Sequence, residues 1–482
     1  MSTVPPILYA QWRTRLIEAY SLRDANPAAP PPERLLQGIW HHQRLLRDRL
    51  RTLDGRTVRV LHPGFWNHEG GPDFRNAVLQ FDSPPAQSGD VEIDLHPSGW
   101  RAHGHDRNPA FRNVALHVVW EAETKVDSCL PTLAIGSLLD APVDELRSWI
   151  GSEAAKEIPS LLMGRCSAPL RDLAAAELDE MLRQAATVRL HAKATQLRAR
   201  ARQAGWEQTL WEGLFRALGY KHNAWPMQSI AELLPHLLAA EGPKRHRLQT
   251  LQARLFGVSG LLPADLVRGS AAVDNYLRAV WDVWWREREE LTEKILPRQL
   301  WRFHGLRPAN HPLRRLALAA HWISSGTLVA RLEKWFTKEP PQGALLNSLL
   351  EILQIERDDF WARHWTFRSA RMAKPQPLIG AQRVTDLAMN VILPWFWARG
   401  AAGKSEVPQR TAEQRYFAWP RGEDNALLRL ARQRLLGGTK SPAFRTAAAQ
   451  QGLLQIIRDF CDHSNAICDQ CQFPDLVKTL RS

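Results

Sequence analysis

The chain has 482 residues, enough for two or three domains with sizeable cores. Hydrophobic residues at 44% and charged residues at 23% are ordinary for a globular chain, and no apolar run reaches the ~18 residues that a membrane span needs. A net charge of +13 favours an anionic partner, DNA first and RNA second, although an Arg-rich composition alone can produce such a charge. The opening MSTVPPILYAQWRTRL lacks the long apolar core of a signal peptide, so the expectation is a cytoplasmic protein with no membrane partner.

In chain order, residues 1–30 read as an N-terminal arm with one short helix and a Pro-rich tract. Glu33 to Leu50 predicts a helix, with Leu35, Leu36, Ile39 and Trp40 on its apolar stripe and Glu33, Gln37 and His41 four apart on another. Asp54-Gly55 is a turn signal and predicts a hairpin of Arg51–Leu53 with Thr57–Leu61. Strands are expected at 74–81, 90–96 and 113–121, with a further short apolar segment at 130–142. From about residue 140 the period becomes helical, at 173–203, 207–219, 228–240, 244–256, 271–293, 312–336, 344–353, 356–364, 381–398, 425–436 and 442–460. Ser441-Pro442 marks the start of the last of these, and 399–424 reads as a polar loop. The expected architecture is an α+β or α/β N-terminal domain with a small mixed sheet (31–150), a large all-α domain (151–440), and a C-terminal helix with a cysteine cluster (441–482).

The chemistry concentrates between Gly70 and Glu121. In the run 90–96, Val91, Ile93 and Leu95 alternate with Glu92, Asp94 and His96, so a strand puts the acids side by side on one face. Asp73 opens the preceding strand, with eighteen residues between it and Glu92. Carboxylates converging from adjacent strands are what a hard divalent cation requires, and burying them without one is costly. Mg²⁺ or Mn²⁺ held by Asp73, Glu92 and Asp94 is the expectation, with Glu33 and Gln37 facing the same pocket. His103-x-His105 is a candidate transition-metal or phosphate contact, or else a polar loop, and His117 in a Val-rich strand reads as a core histidine unless it faces the carboxylates.

Pro72-Asp73 with Glu92-x-Asp94 resembles the PD-(D/E)xK nuclease signature. Asp94 stands where that signature has lysine, which would leave proton transfer to His96 or require a lysine from elsewhere in the chain. The resemblance implies a metal-dependent phosphodiester hydrolase, with a non-catalytic nucleic-acid-binding or scaffold protein as the alternative. Separately, the runs PGFWNHEGGPDFRNAVL, GDVEIDLHPSGWRAHGHDRNPAFRNVALHVVWE, FRALGYKHNAWPM, GLRPANHPLRRLA and MNVILPWF resemble the bacterial family designated domain of unknown function 2851. That resemblance spans nearly the whole chain and implies no activity.

Cys461, Cys468 and Cys471 are spaced C-x6-C-x2-C, which resembles the first three ligands of the iron–sulfur loop in helix-rich DNA glycosylases of the endonuclease III type. Val477 stands where that loop has its fourth cysteine. Cys166 could close the set in space, or His463 could, giving zinc or an iron–sulfur cluster in a structural role. Three reduced thiols are the alternative. On the helix 173–203, Arg189, Lys193 and Arg200 share a face that could track a phosphate backbone, or could simply be its solvated side. Arg302, Arg307, Arg314 and Arg315 form a second basic group beside Trp301 and Phe303. No phosphate loop, dinucleotide fingerprint or serine-hydrolase elbow is present.

Overall fold

The alternating runs on either side of residues 82–86 fold as a strand pair, and a mixed sheet assembles outward from it. The computed structural model describes residues 7–22, 31–67, 71–122, 130–143, 146, 164–220, 222–239, 247–263, 271–303, 306–341, 343–355, 357–437, 445–461 and 471–479. The strands are β1 (Val58–His62), β2 (Phe65–Trp66), β3 (Phe74–Phe81), β4 (Gln87–Asp94), β5 (Val114–Val119) and β6 (Thr132–Ala134), in the order β1-β3-β4-β5-β6 with β2 also on β3. Pairing is antiparallel from β1 to β4 and parallel across β4–β5 and β5–β6. Antiparallel neighbours need only a short turn, whereas the parallel pair β4–β5 needs a crossover, supplied by residues 95–113.

The helix Glu33–His42 buries Leu36, Ile39 and Trp40 completely, in one core with Val91, Ile93, Leu116 and Val118 of the sheet. Each such side chain stabilises the fold by about 1.5–3 kcal/mol. The predicted helix to Leu50 stops early. Gln43 turns left-handed (φ 49°) and Leu45 leaves to bridge Leu139. The expected hairpin at Asp54-Gly55 shrinks to a single bridge, Arg51 with Thr57, and β1 pairs with β3 instead. Arg51 and Leu53 are exposed, so further pairing on that side would bury little.

Downstream the chain is helical, as expected. The run 312–336 divides at Gly326 (φ +61°) into Pro312–Ser325 and Leu328–Thr337, and 228–240 divides into Ala224–Glu232 and Leu234–Ala239. Residues 357–364 form turns rather than a helix. Conversely, the expected loop 399–424 holds the helix Glu406–Ala418, which buries only Ala412, Arg415 and Tyr416 and so shows little apolar periodicity. Between Ala381–Leu387 and Leu393–Ala402 a π-turn spans Ala388–Ile392, just before Pro394, which has no N–H to continue an α ladder. The last long helix begins at Ala447 under a Thr446 cap; the expected start at Ser441-Pro442 lies outside the described residues.

Two compact units result, Met1–Ala199 with Ala412–Ser482, and Arg200–Thr411. The first holds the sheet core and a second core of helices. Tyr9 and Trp12 of the N-terminal arm are buried in that second core, where the Tyr9 hydroxyl donates to Asp459 Oδ2 at 2.9 Å.

Candidate active site

The acidic cluster starts from strand register. Phe74 pairs with Val91, which sets Asp73 beside Glu92, and Arg75 and Asn76 oppose the single residue Asp90 as a bulge. Asn76 accepts the left-handed backbone this requires (φ 56°), and its N–H donates to Asp90 Oδ1 at 2.9 Å. The Asp73 N–H donates to Glu92 Oε2 at 3.0 Å, and the Ile93 N–H to Asp73 Oδ2 at 3.2 Å. Gln37, on the polar stripe of the first sheet-packed helix, donates through Nε2 to Asp73 Oδ1 at 2.9 Å and to Glu33 Oε1 at 3.3 Å. Glu33 and Gln37 thus reach the site expected of them.

The crossover 95–113 brings the imidazoles. His103 Nδ1 lies 2.9 Å from Asp94 Oδ1, and His117 Nε2 bonds Asp94 Oδ2 at 2.9 Å. His105 Nδ1 lies 3.3 Å from Glu92 Oε1, within ion-pair range but without the alignment of a hydrogen bond. Phe111 stacks on the His105 ring at 4.0 Å, and the Trp100 edge meets His105, Phe111 and His117. Gly99 permits this closure, because a Cβ there would lie 2.8 Å from Asp94 Cγ and Oδ1. One donor atom each from Asp94, His103 and His105 lies within 4.8 Å of the others. That is a mixed oxygen and nitrogen set of the kind that suits Zn²⁺ or Mn²⁺ better than Mg²⁺.

Burial dominates the electrostatics. It pushes the Glu92 carboxyl up to about 9, with Asp73 adding repulsion, and the Asp73 carboxyl up to about 7, with Glu33 adding repulsion. Glu33 is also raised, by burial and then by Asp94, whereas burial lowers His105 and favours its neutral form. The cluster therefore holds protons at neutral pH, and these a divalent cation can displace.

Three expectations bear on this arrangement, and one of them changes. β4 ends at Asp94, so His96 falls in the following turn, exposed, and does not extend the acidic face. Its place beside the carboxylates is taken by His103 and His105. His117 is buried and takes the second of the two alternatives, facing the carboxylates: it pairs in register with Glu92 and bonds Asp94. No sequence signal fixes that register, since a parallel strand arriving by a crossover can slide. Among the described residues, the group of donor atoms that lie within 4.8 Å of one another is Asp94, His103 and His105; Asp73 and Glu92, expected beside Asp94 as ligands, adjoin that group without belonging to it.

Elsewhere, Arg189, Lys193 and Arg200 of the expected basic face are half-buried and have partners within the fold. Arg189 Nε donates to Gln451 at 2.6 Å, Lys193 Nζ lies 3.4 Å from the same oxygen, and Arg200 grips Glu212 with two bonds of 2.8 Å. Those bonds join neighbouring helices. Arg302 and Arg307 are exposed, but Arg314 and Arg315 are buried. Cys166, Cys461 and Cys471 pack in the second core of the first unit, while Cys468 and His463 lie outside the described residues.

Among the described residues, no helix is long and apolar enough to cross a membrane. No curated protein and no solved structure matches the chain. The model of one family, described as protein of unknown function DUF2851, matches residues 33–422, a span that takes in both the acidic cluster and the helical unit. The chain belongs to the DUF2851 family.

Proposed function

We propose that the protein is a divalent-cation-dependent phosphodiester hydrolase acting on DNA, a nuclease built on the acidic cluster. The observation that carries this reading is the meeting of Asp73, Glu92 and Asp94, from two paired strands, with Glu33, His103 and His105 in one cluster. A cation there supplies charge stabilisation at a phosphoryl oxygen. Asp94, His103 and His105 hold it, and Glu92 and Glu33 complete the negative charge it neutralises. Asp73, its carboxyl near 7, is placed to take the proton of the attacking water, and Gln37 fixes its orientation. Hydrolysis forms a bond from the water oxygen to phosphorus and breaks the bond to the leaving oxygen, which takes its proton from solvent.

The test is cleavage of single- and double-stranded DNA with Mn²⁺, comparing wild type with Asp73→Ala and Glu92→Ala prepared identically. Cleavage by the wild type alone supports the reading; equal activity in all three marks a contaminant and removes it. Asp94 at the usual lysine position favours a second reading, a non-catalytic nucleic-acid-binding or scaffold protein. In that case DNA or RNA is retained without being cut.

The cysteine group belongs to the same proposal as a structural element. What supports zinc or an iron–sulfur cluster tying the C-terminal segment to Cys166 is the C-x6-C-x2-C spacing; Cys166, Cys461 and Cys471 lie in or against one core, but their sulfurs are not a group converging within 4.8 Å. Elemental analysis with a visible absorption spectrum separates the two; protein free of both metals, when purified without chelator or oxidant, rules this part out.

A further inference from the structure

In the Arg200–Thr411 unit, positive charge is buried where sequence reasoning expected a surface. Arg314 donates to the carbonyls of Trp361, Gln376 and Pro377 and lies over the Trp365 ring, with Asp358 acting on its charge. Arg383 meets Asp386 Oδ2 at 3.2 Å and lies 4.0 Å from the Tyr220 ring centroid. Arg315 differs from both. It is 4% exposed, and its bonds go to neutral oxygens, Leu378 O at 2.7 Å and Asn310 Oδ1 at 2.6 Å. Arg383 Nη2 reaches that same Asn310 oxygen at 3.5 Å, so two guanidinium groups share one amide oxygen. The Nε atoms of both are buried with no hydrogen-bond partner among the described residues. Burial first, then the charges of Arg383 and Arg314, oppose the charge on Arg315. His311 cannot relieve or worsen this, because burial and Arg298 hold it neutral, down to about 4.

A guanidinium does not shed its proton at neutral pH, so a buried one needs a negative partner or pays a desolvation cost of several kcal/mol. Guanidinium forks match the tetrahedral oxygens of phosphate. Arg315 lies in the first turns of the 14-residue helix Pro312–Ser325, whose dipole adds positive potential. Tyr220, whose ring packs on the Arg383 guanidinium, is 42% exposed, so one side of the group reaches the surface. We propose that Arg315, Arg383, Asn310 and Tyr220 form a binding site for a phosphate dianion, either free inorganic phosphate or the terminal phosphate of a nucleic acid. The site stands whether or not the acidic cluster is catalytic.

The experiment uses the full chain and reads thermal unfolding and calorimetric binding with potassium phosphate, against potassium chloride at equal ionic strength. Phosphate is expected to raise Tm in a saturable way, and chloride is not. Asn310→Asp, which puts a carboxylate at the shared oxygen, is expected to raise Tm without phosphate and abolish the phosphate response. Tyr220→Phe, a change at an exposed side chain, is expected to weaken phosphate binding several-fold while leaving the fold intact. A 5′-phosphorylated dinucleotide binding more tightly than inorganic phosphate, while its 5′-hydroxyl counterpart does not bind, assigns the site to nucleic-acid ends. The reverse order assigns it to free phosphate. A wild-type Tm that responds equally to phosphate and chloride overturns the proposal, as does a phosphate response unchanged in Asn310→Asp.

Discussion

The two units bury charge of opposite sign and handle it differently. In the first, Asp73, Glu92 and Glu33 crowd together, and burial raises all three carboxyls, so the cluster can become neutral by keeping protons. In the second, Arg314, Arg315 and Arg383 have no such option and are held by backbone carbonyls, ring faces and single carboxylates. A buried acid cluster is thus a switchable site, whose charge follows pH and cations. A buried arginine cluster is a fixed one, and it demands partners at every pH.

The largest effect expected from this contrast is on stability in the second unit. Arg314→Ala strands three carbonyls in the turns 357–380 and removes the packing on Trp365, at a cost of about 3–4 kcal/mol in urea unfolding. A cost under about 1 kcal/mol would mean that the turns hold without it. Next is activity in the first unit. Asp73→Asn, which cannot take a proton, should lower Mn²⁺-dependent DNA cleavage about 100-fold or more, while its amide nitrogen, facing Gln37 Nε2 or the Ile93 N–H, costs about 1–3 kcal/mol of stability.

The contrast sharpens further with pH. Asp73 and Glu92 titrate higher in the fold than in the unfolded chain, so from about pH 4 to pH 9 the folded state carries the extra protons. Their stabilisation is complete below the unfolded pKa values and is lost as pH rises through about 7 for Asp73 and about 9 for Glu92. Tm should therefore fall from pH 5 to 9. Glu92→Gln should flatten the curve, its advantage over wild type growing by about 1.4 kcal/mol per pH unit in that window. A wild-type curve already flat there would show that the acids are not held protonated.

Smaller again is Gly99→Ala. Its Cβ would press on Asp94, costing about 1–3 kcal/mol and weakening divalent-cation affinity more than it lowers Tm. The smallest effect is at Arg189→Ala, where loss of the bond to Gln451 should cost about 1 kcal/mol. DNA affinity should not change there; a clear drop on filter binding would restore that helix as a nucleic-acid face.

Local pattern explains which of these features could be read before the fold. Strict alternation placed Val91 and Ile93 inward and Glu92 and Asp94 opposite, and four-residue spacing put Glu33 and Gln37 on one stripe that meets Asp73. Partners across a long crossover carry no such pattern. His103, His105 and His117 reach the acids only because residues 95–113 fold back over them and β5 settles in one register on β4. A basic stripe is equally ambiguous, since Arg189 facing Gln451 and an arginine facing solvent have the same spacing. Arg314 and Arg315 looked like surface because the carbonyls that hold them come from residues 361–378, a segment without periodicity.

The most direct test of the acidic cluster is to count protons released when Mn²⁺ or Zn²⁺ binds, by calorimetry at pH 7 in buffers of different ionisation enthalpy. Wild-type protein is expected to bind the cation and release protons, and Asp94→Asn to lose that binding. Failure of wild-type protein to bind either cation, or binding with no proton release and equal strength in Asp94→Asn, would contradict it.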